Sequence, residues 1–152
     1  LRILRDGELV WSATQSLLRV GVKETSGQPF ASQLALDTSL SCQTEFSAPA
    51  DIGRSYGAVS GDRNPIHLAA VTAKLFGFKR AIAHGMWTKA RALSYLLPAT
   101  VLEQTSASVE FKTPLLLPGR AALWTERSAH GAQFEVRDKK GLRPHLRGQL
   151  SY

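Results

Sequence analysis

Gly85-Met86-Trp87-Thr88-Lys89-Ala90-Arg91-Ala92-Leu93-Ser94-Tyr95-Leu96-Leu97-Pro98 is the stretch on which the fold turns. Met86, Ala90, Leu93 and Leu97 recur at helical spacing until Pro98, so a long helix is predicted over 85–97. Beyond Pro98 the period changes. Ala107, Val109 and Phe111 fall on one side of an extended chain, with Ser108, Glu110 and Lys112 on the other. Residues 114–119 read as a turn-bounded bend and 121–127 as a second strand. In a third, Phe134 and Val136 alternate with Gln133, Glu135 and Arg137; a fourth, over 145–152, carries Leu146, Leu150 and Tyr152 on one face. One long helix followed by a meander of antiparallel strands predicts an α+β fold with the sheet wrapped on the helix.

Upstream stands Tyr56-Gly57-Ala58-Val59-Ser60-Gly61-Asp62-Arg63-Asn64-Pro65-Ile66-His67, and just before the long helix comes Ala83-His84. Asn64-Pro65 reads as a helix start, with Asn at the N-cap and Pro at the first helical position. That helix is expected to run over 65–76 and to close at Gly77. His67 then falls in the first turn, where the positive end of the helix dipole disfavours imidazolium and keeps the ring a neutral base. The same field favours an ionised Asp62. A carboxylate and an imidazole five residues apart are thereby set to hold and deprotonate one water. Gly85 supplies the complement. An N–H at a helix start has no intrahelical partner, and without a side chain a ligand approaches it closely, as a developing enolate oxygen requires.

The string Gly61-Asp62-Arg63-Asn64-Pro65-Ile66-His67, with Ala83-His84-Gly85 downstream, resembles the signature of the MaoC-like dehydratases, the (R)-specific enoyl-CoA hydratases with the hot-dog fold. The resemblance covers residues 44–152. It implies a hydro-lyase that reversibly hydrates trans-2-enoyl thioesters to (R)-3-hydroxyacyl thioesters without a cofactor, coenzyme A or phosphopantetheine serving only as the substrate's carrier. It puts water activation on Asp62 and His67, ordering of the site on Asn64, and an N–H to the thioester oxygen on Gly85. Tyr56, His84, Met86 and Trp87 are candidate substrate-binding residues. Tyr56 would line the entrance and Met86 and Trp87 the core or acyl-pocket wall, while His84 is divided between packing and site lining. Hot-dog sheets pair edge to edge, which implies a homodimer or a pseudo-dimer within a fused chain. Two rival readings stand beside this one: an acyl-thioester-binding hot-dog domain with little turnover, and a hot-dog thioesterase. The Asp-x-Asn-Pro-x-His arrangement suits addition of water to a double bond and counts against the thioesterase.

The 152 residues, 43% of them hydrophobic, suffice for one ordinary core. The net charge of +7 is uneven: five basic against six acidic residues over 1–60, fourteen against six over 61–152. The excess lies in the half that carries the chemistry, which fits the phosphates of an acyl-CoA or the acidic surface of an acyl carrier protein. Lys89, Arg91 and Lys112 are within the scope of phosphate contact, but a solvated charge is the leading reading of each. Basic residues scattered over predicted strands and helices, without a nucleic-acid-binding signature, argue against nucleic acid. No run approaches a membrane span and no secretory signal opens the chain. Cys42 is the single cysteine, so a cytoplasmic setting is expected. His130 and His145 lie outside metal-ligand spacing, and no metal is assigned.

Residues 1–20 read as a hairpin turned by Asp6-Gly7. Arg5-Asp6-Gly7 with Gln15 loosely echoes Arg137-Asp138, Gly141 and Gln149. Some MaoC-like proteins resemble two fused hot-dog halves with the catalytic string only in the second, so the resemblance and the echo make 1–20 the expected terminal strands of a truncated first half. Residues 21–43 lack periodicity and read as a linker. A short strand over 45–50 and a helical turn over 50–56 lead to the motif, which lies in the domain spanning 44–152.

Overall fold

The computed structural model describes residues 2–12, 34, 39–100 and 102–152, in two units, Leu1–Ala31 and Ser32–Tyr152. In the first unit β1 (Arg2–Arg5) pairs antiparallel with β2 (Glu8–Ser12). Asp6 and Gly7, at φ 52° and 85°, make the turn with both central residues in the left-handed region, as a two-residue hairpin requires. Residues 13–20, the rest of the expected second strand, lie outside the described residues, as does most of the linker over 21–43.

The second unit runs β3 (Ser41–Ala48), α1 (Ile52–Ser60), α2 (Pro65–Leu68), α3 (Ala70–Leu75), α4 (Gly85–Leu96), β4 (Ser106–Phe111), β5 (Gly119–Ser128), β6 (Gly131–Asp138) and β7 (Pro144–Ser151). Its five described strands form one antiparallel sheet in the order β3-β5-β6-β7-β4, with β3 and β4 outermost among them. Phe46, Leu123, Phe134, Val136, Leu146 and Leu150 of the sheet meet Ala92 and Leu96 of α4 in one buried core. A Leu side chain buried like Leu96, truncated to Ala, typically costs about 2–5 kcal/mol.

Several expectations need correction. The strand expected over 45–50 begins earlier, at Ser41, because Ser41, Cys42 and Thr44 pair with β5. The helix expected over 65–76 is two helices. Ala69 between them is extended, at φ −149° and ψ 151°, because tertiary contacts use the carbonyls that would continue α2. Arg54 donates to the Leu68 carbonyl at 3.3 Å, and α1 crosses the His67 carbonyl so closely that a Cβ on Gly53 would stand 1.9 Å from that oxygen.

The third correction concerns the long helix. Its buried residues are Thr88, Ala92 and Leu96, with Trp87, Leu93 and Tyr95 partly buried, whereas Met86 is 53% and Leu97 41% exposed and Ala90 is exposed too. Apolar residues run almost all round α4, so periodicity alone could not tell which stripe meets the sheet. On the strands, Phe134, Val136, Leu146 and Leu150 are buried as expected, but Phe111 is exposed. Glu135, which alternates with Phe134 and Val136, is also only 2% exposed. Arg137 and Arg147 hold its two oxygens at 2.7 and 2.6 Å, and the Arg137 guanidinium also stacks over Trp124.

Candidate active site

The site grows out of a sequence of short polar closures. Gly61 ends α1 at φ 78°, turning the chain into the motif. The Asp62 N–H donates to Ser60 Oγ at 3.2 Å, the Asn64 N–H to Asp62 Oδ1 at 3.1 Å, and the Ile66 N–H to Asn64 Oδ1 at 3.4 Å. Asn64 is therefore the N-cap of α2, with Pro65 in its first turn. Side chains of this kind bond back to nearby backbone, so the turn is written locally.

His67 leaves α2 inward and is buried. Its Nδ1–H donates to the Ile82 carbonyl at 2.8 Å, since a carbonyl can only accept. In the neutral ring the Nε2 lone pair is then the free basic position. The pKa of His67 is held below the usual histidine value of 6.5, first by burial. The hydrogen bond to Ile82 opposes that shift, neighbouring His84 adds to it, and Asp62 opposes it. The expectation had credited the helix dipole; with α2 a single turn, burial is the leading cause.

Residues 81–83 carry the second part of the site. Ile82 N–H donates to the Ile66 carbonyl, Ala83 N–H to Leu115, and Leu117 N–H to Ala81, so this segment is clamped between α2 and the bend before β5. His84 follows as the N-cap residue of α4 and makes no side-chain cap there. Its Nε2–H donates instead to the Asp62 backbone carbonyl at 2.9 Å and lies 3.8 Å from Asp62 Oδ2. The His84 and His67 rings stack with centroids 3.7 Å apart and planes 25° apart, and Tyr56 stands 5.0 Å from His84 on its other contact. One ligand-type atom each of Asp62, His67 and His84 lies within 4.8 Å of the other two. That is the spacing a shared water or a divalent cation takes, and no other such trio occurs among the described residues.

Two clefts border this cluster. One, of about 290 Å³, is lined by His67, Gly85, Thr88, Phe111, Lys112 and His145 among others. The second, of about 340 Å³, is lined by Tyr56, Ser60, Asp62, His84, Gly85 and Met86. Gly85 lines both. A Cβ there would sit 2.8 Å from the Phe111 ring, so the glycine is required by close approach as well as by its place at the start of α4. The structure thus brings Asp62, His67, Asn64, Gly85, Tyr56, His84 and Met86 to one locality. Trp87 is elsewhere, packed edge-on against Phe46 with centroids 6.2 Å apart, and lines neither cleft.

Thr88, Phe111 and His145 line the His67 cleft and were not read as site residues. His145 is buried and its pKa is lowered, first by burial, while Nδ1–H bonding to the Thr113 carbonyl at 3.1 Å opposes the shift. It lies 78 residues from His67 in the chain, and β7 sets it against Lys112 and Thr113, which follow β4. A lone histidine at a strand start carries no local signal.

Residues 22–143 match the MaoC-like domain family. A segment of 98 residues, 64% of this chain, is 43% identical to 3-hydroxyacyl-thioester dehydratase X of Mycobacterium tuberculosis and covers 34% of that protein. The crystal structure of HtdX from the same organism superposes with a TM-score of 0.67 at 36% identity, covering 72% of this chain and 46% of that one. The unliganded R-hydratase PhaJ1 of Pseudomonas aeruginosa gives a TM-score of 0.56 at 29% identity, over 70% of this chain and 74% of that one. The chain spans less than half the length of the dehydratase it matches. The five-stranded antiparallel sheet packed on α4 is the hot-dog fold of these structures.

Proposed function

This chain belongs to the MaoC-like domain family, and on that premise we propose that it reversibly hydrates trans-2-enoyl thioesters to (R)-3-hydroxyacyl thioesters. The observation that carries the reading is that ligand-type atoms of Asp62 and His67 lie within 4.8 Å of each other, beside two clefts that both reach Gly85 at the start of α4. Water held between Asp62 and His67 faces the β-carbon. His67 Nε2, free because Nδ1 is committed to Ile82, takes a proton as the water oxygen bonds to that carbon. The electrons of the double bond move towards the carbonyl, and a proton returns to the α-carbon, so that water adds across the bond with nothing left over. Charge built on the thioester oxygen meets the Gly85 N–H and the positive end of α4. The chemistry asks for no cofactor or metal; coenzyme A or a carrier's phosphopantetheine arm is part of the substrate.

The partner reading rests on what α4 leaves bare. Met86, Ala90 and Leu97 form an exposed apolar stripe on the predicted helical spacing. Beside α4 runs strand β4: Phe111 approaches Gly85, and Lys89 Nζ donates to the Ala107 carbonyl at 3.5 Å. A strand that is outermost among the described strands, beside an apolar helix face, is the surface a second hot-dog unit would cover, either a second copy or a first half of the same protein. Residues 1–20 are proposed as the end of such a half. No helix among the described residues is long and apolar enough to cross a membrane, and the lone exposed Cys42 supports a cytoplasmic setting.

The test is incubation with a panel of 2-enoyl-CoAs, following loss of the enoyl absorbance and the chirality of the product. An (R)-3-hydroxyacyl product is expected. Binding without absorbance change would instead identify an acyl-thioester-binding domain, and release of free coenzyme A a thioesterase.

A further inference from the structure

The two water-activating residues of the proposed hydration, Asp62 and His67, both meet one side chain that the mechanism does not use, and its residue directly precedes the oxyanion donor Gly85. His84 is 3% exposed. Its ring edge donates to the Asp62 carbonyl at 2.9 Å, its face covers His67 at 3.7 Å, and its backbone leads directly into Gly85. A ring held on its edge and covered on its face in this way is built to hold its neighbours rather than to follow an acyl chain.

We propose that His84 is a positioning residue for the hydration, tying Asp62, His67 and the Gly85 amide into one rigid unit. The proposal rests on the hydratase reading and assigns His84 a role inside it. Asp62 needs such an anchor. Its side chain is 54% exposed, and the bonds that shape its turn, to Ser60 and Asn64, reach only two residues along the chain. The bond from His84 spans 22 residues and is what fastens that turn to the start of α4. His67 needs it for a different reason. With Nδ1 held by Ile82 and one ring face held by His84, rotation of the imidazole is blocked and Nε2 keeps one direction. Misplacement of a reacting group by an ångström can cost about 100-fold in rate. The second imidazole also makes His67 harder to protonate, against the opposite pull of Asp62; Lys112 and His145 are the other ionisable groups on the same cleft.

Two variants of the intact protein test this. His84→Phe keeps an aromatic face for the stack and loses the donor; His84→Gln returns an N–H donor without an imidazole. Urea unfolding checks that each is folded, and where His84→Phe is not, His84→Gln carries the test. The expected result is a fall in kcat of about 10- to 100-fold in His84→Phe with KM changed far less, and partial recovery in His84→Gln. In both, NMR titration of the His67 ring moves to higher pH. Wild-type kcat in His84→Phe, or an unmoved His67 titration in both variants, overturns the proposal. The titration needs no substrate. Absence of turnover by the wild-type protein therefore refutes the hydratase reading alone, and the His67 titration still decides the role of His84.

Discussion

Two helices begin at the site, and they begin in opposite ways. The start of α2 spends its polar atoms on itself: Asp62 binds the Asn64 amide, Asn64 caps the Ile66 amide, and Pro65 has no N–H to satisfy. The start of α4 is uncapped, since the ring at its N-cap, His84, points away to the Asp62 carbonyl. Gly85 meanwhile lines both clefts. A helix start closed by its own side chains is scaffold that aims His67. One left open keeps donors and the positive end of a twelve-residue helix for a ligand.

Substitutions can break that contrast. The largest effect is expected at the groups the closed start presents. Asp62→Asn and His67→Ala should each lower kcat for crotonyl-CoA hydration by at least about 100-fold, measured by the enoyl absorbance with folding checked by circular dichroism. Full rate in either folded variant would remove the chemistry from α2. Next comes the open start. Gly85→Ala puts a methyl 2.8 Å from the Phe111 ring and should cost about 10- to 100-fold in kcat by shifting the amide. Adding Phe111→Ala should restore part of it; no recovery would mean that the glycine serves something other than this approach.

Acidity sharpens the same comparison. His67 and His145 are both held below the usual value of 6.5 by burial. A depressed folded-state value means that the unfolded chain binds protons first, so the stability these two rings allow is complete above about pH 6.5 and is lost as pH falls through their folded values. Urea midpoints should be flat from pH 8 to about 6.5 and decline below it, and kcat/KM should keep its acid limb on the low side of the same point. A limb above it would show that His67 is not the base. The smallest effect is expected at the cap. Asn64→Ala should lower stability by about 1 kcal/mol, read from urea unfolding; a loss much larger would show that Asn64 holds more than the first turn of α2.

What was readable beforehand follows the reach of the interactions. The helix start at Asn64-Pro65 was legible because its bonds span two residues. The hairpin turn at Asp6-Gly7 was legible for the same reason. Alternation placed Phe134, Val136, Leu146 and Leu150 inside, since one face of a strand is fixed by the next residue along. It could not show that Glu135 is buried too, because nothing local says that Arg137 and Arg147 will fold over a carboxylate from two strands. The break at Ala69 was hidden too, being caused by α1 pressing on the His67 and Leu68 carbonyls.

By itself the sequence determined the kinds of element, the motif and the identity of the groups able to do the chemistry, because turn closures, caps and periodicity are short-range. Only the tertiary structure decided which stripe of α4 is core, that His145 and Phe111 share a cleft with His67, and that His84 spends its ring on the Asp62 carbonyl rather than on its own helix. Those outcomes depend on contacts between residues from 22 to 78 positions apart. No local energy specifies such contacts until the sheet and α4 have closed around a common core.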